Sequence, residues 1–501
     1  MVQAGFDTRA PNTRERVLLV RTYESLKGGG PTPPIGLAYL ASSVERQFGS
    51  DVDVRVIDSG LLGADDAKRV IAEFAPRWVG LSGMSCEIER MRWFARAAKE
   101  LAPGAIVIAG GPHATIAWES LLRDPDFDLV SVGESEHTMV EVLGTGGDED
   151  RLARIAGLAS RRNGELVAPA HREMEPDLDE LPFPSWGHVP LRAYAAFPNW
   201  NGTPREAAYA PIVSSRGCPY HCSFCHSIFG KRTRLRSAQN VFDEMVWLAD
   251  AHGIREFHFL DDIFNLDVER ASALCRLIID SGRKFSLAFP NGLRPDIMTK
   301  DLVGLLRAAG TYRVQFGFES FSPRLQKETK KHLDIEKALD AIRWTSASGI
   351  ITGAYFMFGF PTQTRAEALD TIEKAAASPL DVAYFFKATP YPGSGFFDAV
   401  AHDACDGGPA KSAAPGSLDE YTQHHFFSVD RSYGLLDARE LNELILLAQR
   451  KFYLRIGRLW RGFRKAHNKR AFLSNLLAVF ALVLQGMILT SLAAPSGKEK
   501  P

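Results

Sequence analysis

At 501 residues the chain is longer than one ordinary core, so two or three domains are expected. A composition 45% hydrophobic and 24% charged excludes a disordered chain, and a formal net charge of −1 gives no electrostatic reason to expect nucleic acid as a partner. The first residues, MVQAGFDTRAPNTRER, hold no apolar run, so no secretory signal is expected. A reduced, cytoplasmic chain follows, in which clustered cysteines point to metal or redox chemistry before disulfides.

From Arg16 to Leu143 strand-like and helix-like segments alternate. RVLLV is a short apolar run, PIGLAYLASSVERQF has helical periodicity, and VDVRVID alternates like a strand. DDAKRVIAEFAP, WVGLSGM, EIERMRWFARAAKELAP, AIVIAGG, DLVSVGE and SEHTMVEVL continue the series. This alternation predicts a doubly wound, Rossmann-like parallel sheet over 15–145, with ligands bound beyond the carboxyl ends of its strands. Those ends are glycine-rich (LKGGGPTPP, GLSGMS, AGGPHAT, SVGESE), which suits a large flat ligand lying close to the backbone. Over 146–205 the pattern decays into what reads as linker, with GTGGDEDR and PDLDELPFPSW.

A second series occupies 206–400. Strands are expected at YAPIVSS, EFHFLDD, KFSLAFPNG, YRVQFGFES, ITGAYFMFGF and VAYFFKATPYPG, with five helices between them. Six strands and five crossovers predict a partial (β/α)6 barrel, whose reactive groups belong at the strand ends. The first strand runs directly into SSRGCPYHCSFCHS, where Cys218, Cys222 and Cys225 are spaced C-x3-C-x2-C. Thiolates suit iron–sulfur clusters and zinc. Three of them, and not four, leave one metal position open for a ligand. The rival is a zinc site completed by His221 or His226, against which the position after the first strand of a βα series argues.

A helical region is expected over 401–470. Beyond it the uncharged run 471–494, about 36 Å long as a helix, would be enough to cross a bilayer core of roughly 30 Å. The preceding RKFYLRIGRLWRGFRKAHNKR, with Phe452, Tyr453, Trp460 and Phe463 among its cations, reads as an interfacial basic helix at the cytoplasmic face of a membrane. The other reading of the apolar run is a buried terminal helix. Cys86, Cys275 and Cys405 read as bystanders, and His424 and His425 have no evident partner.

CPYHCSFC resembles the signature of the radical S-adenosylmethionine (radical SAM) superfamily. The resemblance implies a 4Fe–4S cluster on Cys218, Cys222 and Cys225 whose open iron binds S-adenosylmethionine. It also implies a 5′-deoxyadenosyl radical as hydrogen abstractor and an external one-electron donor of flavodoxin or ferredoxin type. It places Phe224 near the adenine, Asp261 or Asp262 near the amino group, and Glu319 near the ribose. A carboxylate suits an ammonium; the plain alternative for Asp261 and Asp262 is a helix cap.

The order of the two series resembles the cobalamin-binding subgroup, the group of anaerobic porphyrin cyclases and class B methyltransferases. On that resemblance Gly36, Ser82, Gly110, Gly111, His113, Gly133 and Glu134 face cobalamin. The sequence departs from the D-x-H-x-x-G pattern of many cobalamin proteins: Gly36 matches the last glycine, and Pro33 stands where the histidine would be. Ser135 stands where glycine is frequent. The expected activity is methylation of an unactivated carbon of a small, hydrophobic or natural-product substrate, lipidic if the tail meets a membrane. The alternatives are a ring-forming or rearranging enzyme of the porphyrin cyclase type, supported by the tail SYGLLDARELNELILLAQRKFYLR, and a membrane-attached cobalamin or redox sensor without turnover.

Overall fold

The computed structural model describes residues 14–23, 30–197, 204–406 and 432–470, with residues 473 and 477. The first sheet begins β1 (Glu15–Arg21), α1 (Ile35–Phe48), β2 (Val52–Asp58), α2 (Ala64–Phe74) and β3 (Trp78–Ser82). It continues with α3 (Ile88–Leu101), β4 (Ile106–Gly110), α4 (Gly111–Arg123), β5 (Leu129–Ser131) and α5 (Glu136–Gly144). Its strand order is β2-β1-β3-β4-β5, all parallel. Val17 to Val20 are wholly buried, as a strand covered by helices on both faces must be. Separate apolar clusters fill the two faces, one around Phe94 and Phe127, the other around Leu19 and Trp78.

The sheet does not end at 145. A short helix, α6 (Glu149–Leu152), leads into β6 (Leu158–Arg162) and β7 (Glu165–Val167), an antiparallel hairpin that adds two strands beside β5. This corrects the linker expected from 146 onward. The hairpin is short and its outer residues are polar and exposed, so it carries no long apolar signal. A further turn of helix, α7 (Leu191–Tyr194), precedes the second series.

That series comprises β8 (Ala210–Ile212), a two-residue hairpin of β9 (Ser215–Arg216) and β10 (Arg234–Leu235), then α8 (Ala238–His252), β11 (Glu256–Phe259) and α9 (Val268–Asp280). Next come β12 (Ser286–Leu293), α10 (Lys300–Ala308), β13 (Thr311–Glu319), α11 (Pro323–Glu328), α12 (Ile335–Ala347), β14 (Ile351–Phe358), α13 (Arg365–Ala377), β15 (Val382–Lys387) and α14 (Gly395–Asp406). The six parallel strands lie in the order β15-β14-β13-β12-β11-β8, an open partial barrel. Five of these helices start where the sequence supplies a cap: Ser237, Asp267, Thr299, Asp334 and Thr364 each accept from an amide one turn ahead.

The C-terminal helices are α15 (Ala438–Tyr453) and α16 (Ile456–Lys465). α16 is turned opposite to the interfacial expectation. Arg458 is 5% exposed and donates to the carbonyls of Ala376 and Ser378 at the end of α13 and of Leu380 just beyond it. Lys465 lies 2.7 Å and Arg461 3.4 Å from Asp381. These three cations are thus engaged with protein, while Ile456 and Trp460 point outward, 84% and 62% exposed. Among the described residues no helix is long and apolar enough to cross a membrane. The run 471–494, apart from residues 473 and 477, lies outside the described residues, as do His424, His425 and the side chain of Cys405.

Candidate functional site

The cysteine loop hangs between β9 and β10. Its first residue, Gly217, has φ +85°, and a Cβ there would come within 2.5 Å of the Arg232 carbonyl and 2.8 Å of that of Phe229. Only glycine lets the chain turn into the loop. Backbone clips hold the middle: Ser223 N donates to Thr329 O at 2.9 Å, and Phe396 N donates to Ser223 O at 2.7 Å. Asp262 after β11, Arg294 after β12 and Glu319 at the end of β13 are near enough to act electrostatically on the thiols of Cys218, Cys222 and Cys225. Loss of solvation pushes all three thiols up, Cys225 to about 11, and the neighbouring thiols add to this at Cys222 and Cys225. Lys231, Lys331 and Arg294 pull the other way.

The two aspartates after β11 separate cleanly. Asp261 is 2% exposed, and its Oδ1 accepts from Ser214 N (3.1 Å), Ser214 Oγ (2.7 Å) and Ser215 Oγ (2.5 Å). It ties β11 to the root of the cysteine loop, and burial raises its carboxyl above the ordinary range. Asp262 instead accepts from Gly217 N at 3.1 Å, sits 3.7 Å from His226 and lines an open cavity.

Glu319 closes β13 in the left-handed region, φ +64°, at a register shift against β14, and pairs with Lys331 at 2.9 Å. A non-glycine residue held there is strained backbone, of a kind that collects at binding sites. The Lys331 ammonium lies 5.9 Å from the ring centre of Phe224, which leans on Phe360 at 5.7 Å. Phe224, Cys222, Glu319 and Lys331 therefore form one corner.

The cavity beside Asp262 encloses about 470 Å³ and belongs to both halves of the chain. From the first domain come Gly36, Ser82, Gly110, Gly111, Gly133 and Glu134; from the barrel come Arg216, His226, Phe229, Asp262 and Asn291. His113 is not among them. It is 1% exposed in the first turn of α4, with Nδ1 3.0 Å from Ser85 Oγ.

Residues 26–143 match the B12 binding domain family and residues 212–375 match the radical SAM superfamily. An uncharacterized methyltransferase of Pyrococcus horikoshii is 33% identical over 382 residues, 75% of this chain and 80% of that protein. The chain belongs to the cobalamin-binding radical SAM family. The anaerobic magnesium-protoporphyrin IX monomethyl ester cyclase of Rubrivivax gelatinosus is 25% identical over 469 residues, 90% of this chain and 79% of the cyclase. Among solved structures, the radical S-adenosylmethionine methyltransferase TsrM of Kitasatospora setae, with cobalamin and a 4Fe–4S cluster bound, has the same fold at TM-score 0.63 and 23% identity, covering 88% of this chain and 89% of TsrM.

The cofactors of this radical SAM enzyme are a 4Fe–4S cluster, S-adenosylmethionine and cobalamin, and its residues fit them. Three soft donors on one loop match a cluster with an open iron. Among the described residues no three His, Cys, Asp or Glu side chains are grouped as a single bound ion requires. On the cobalamin side a Cβ added at Gly36 or Gly133 meets no atom within 4 Å, so the wall there is bare backbone open to a flat ligand.

Sequence reasoning missed Lys331, Arg294 and Arg216. Lys331 sits in a polar loop without periodicity, and Arg294, whose guanidinium covers the Tyr220 ring at 3.7 Å, follows β12 with no motif. Arg216 stands next to the cysteine signature but is buried, and its partners Glu134 and Glu136 lie some 80 residues away in the chain.

Proposed function

We propose that this enzyme methylates an unactivated carbon of a small molecule. The observation that carries the reading is the shared cavity: the cobalamin wall and the loop after Cys225 enclose one space, so a substrate there meets both cofactors. The bound cofactors supply a hydrogen-abstracting radical and a transferable methyl group. The chain's own residues bind, orient and shield. Cys218, Cys222 and Cys225 hold the cluster. Asp262 faces the ammonium of S-adenosylmethionine, Glu319 its ribose and Phe224 its adenine. Gly36, Ser82, Gly110, Gly111 and Gly133 carry the corrin ring. A small-molecule substrate and an external one-electron donor complete the reaction. With S-adenosylmethionine and reductant under anoxic conditions, a methyltransferase forms S-adenosylhomocysteine as well as 5′-deoxyadenosine; 5′-deoxyadenosine alone would overturn methyl transfer.

That second outcome belongs to a ring-forming enzyme, a reading favoured by a match to the Rubrivivax cyclase that extends over 90% of this chain. Failure to cleave S-adenosylmethionine at all would leave a cofactor-binding sensor.

We infer also that the enzyme works at the cytoplasmic face of a membrane on a lipidic substrate. The support is the outward face of α16, with Ile456 and Trp460 exposed, just ahead of an uncharged run in the sequence. Sedimentation with anionic phospholipid vesicles tests this: wild type should pellet with vesicles and Trp460→Ser should do so less, whereas a wild type left in the supernatant sinks the idea.

A further inference from the structure

The two strands that root the cluster loop bring their arginines face to face. In the β9–β10 hairpin Arg216 is directly opposite Arg234, and like charges so placed repel. The balancing carboxylates come from the other domain. Arg216 Nη2 donates to Glu136 Oε1 at 2.6 Å and its Nη1 lies 3.3 Å from Glu134 Oε2. Arg234 embraces Glu134 with both terminal nitrogens, one at 2.9 Å. All four side chains are less than a tenth exposed. Glu136 is the first residue of α5, where the helix dipole also favours a carboxylate. Burial opposes its charge, yet Arg216 outweighs it and holds the carboxyl below the ordinary range. A third arginine, Arg236, reaches the hydroxyl of Tyr39 on α1 at 3.3 Å, and the Arg216 guanidinium lies 5.3 Å from the centre of that ring.

Buried ion pairs are poor sources of net stability, since apolar packing of the same volume does as well. What paired guanidinium–carboxylate contacts supply is direction and distance. Arg216 is two residues from Cys218, and Arg216, Glu134 and Glu136 all wall the cobalamin cavity.

We propose that Arg216, Arg234, Glu134 and Glu136 are positioning residues whose cross-domain brace sets the cluster loop against the cobalamin cavity. The brace fixes the separation of the two cofactors and supports cobalamin retention, whichever reaction the enzyme performs.

The test compares Arg216→Met, Arg216→Lys and Glu136→Gln in the full chain after cluster reconstitution. Three quantities are read: iron and acid-labile sulfide per chain, the dissociation constant for hydroxocobalamin, and the magnetic coupling between the reduced cluster and cob(II)alamin. Iron and sulfide should stay at wild-type values in all three variants. Arg216→Met and Glu136→Gln should bind cobalamin about tenfold more weakly and show an altered coupling, and Arg216→Lys should recover part of both. Cobalamin affinity within about twofold of wild type together with unchanged coupling overturns the proposal. So does a loss of affinity that merely tracks a lowered unfolding temperature at unchanged coupling. If Arg216→Met does not fold, Glu136→Gln, which keeps the side chain's shape, decides by the same readings.

Discussion

Lys331 donates to Glu319 across 2.9 Å, and the two side chains are only 11% and 10% exposed. The pair lies beside Cys222, whose thiol Lys331 pulls down and Glu319 pushes up. Glu319→Gln keeps the volume, removes the charge and leaves a buried ammonium with a weaker partner. The variant should retain its iron while the KM for S-adenosylmethionine rises about tenfold, roughly 1.4 kcal/mol. Formation of 5′-deoxyadenosine against S-adenosylmethionine concentration measures it; an unchanged KM would confine the pair to scaffolding.

The neighbouring aspartates should fail in different ways. Asp261→Ala strands the hydroxyls of Ser214 and Ser215 in a buried site, at about 2–3 kcal/mol of stability, and lowers the unfolding temperature of the cluster-free chain. Asp262→Ala leaves that temperature near wild type and acts on S-adenosylmethionine binding, since this carboxylate faces the cavity. Equal thermal losses in the two variants would contradict the division of labour.

A pH dependence follows from Glu367. It accepts from Arg324 Nη2 at 2.7 Å and Nε at 2.9 Å, and from Ser322 Oγ at 2.7 Å, while completing the capping box with Thr364. Hydrogen bonds from Arg324 hold its carboxyl down at about 2. A carboxyl lower in the folded than in the unfolded chain stabilises above the unfolded value, near 4.3, and loses that contribution as pH falls toward 2. Wild type should therefore be more stable than Glu367→Gln at pH 7, and the gap should be much smaller at pH 2, where the folded-state carboxyl is about half protonated. Urea unfolding at the two pH values gives the comparison.

What the sequence disclosed follows physical lines. Parallel strands covered on both faces are continuous apolar runs, so Val17–Val20 and the barrel strands could be read directly. The three cysteines were legible because their count, set against the fourth that is missing, is itself chemical information. Asp261 and Asp262 could not be told apart by alternation because β11 ends at Phe259, and beyond a strand end the two-residue period no longer applies. The orientation of α16 was illegible for a different reason. Arg458, Arg461 and Lys465 make one helical face under either reading, and only Asp381 and the end of α13, distant in sequence, decide that it turns inward. The inter-domain arginines were hidden in the same way, their partners being some 80 to 100 residues away.

Gly217 gives the most local test of the cluster loop. Its φ of +85° is costly for any residue with a side chain, by about 1 kcal/mol or more, and a Cβ would press on two carbonyls of the same loop, not on a movable side chain. The collision partners, Arg232 and Phe229, belong to the returning arm of the loop, so the strain opens the loop and leaves the sheets alone. Opening also removes the amide that Gly217 donates to Asp262. Gly217→Ala should thus keep the far-ultraviolet circular dichroism of wild type and bind cobalamin, yet take up less than half the iron and sulfide on reconstitution. Full cluster loading in this variant would show that the turn into the loop tolerates a side chain and that the close approach at Gly217 does not govern the site.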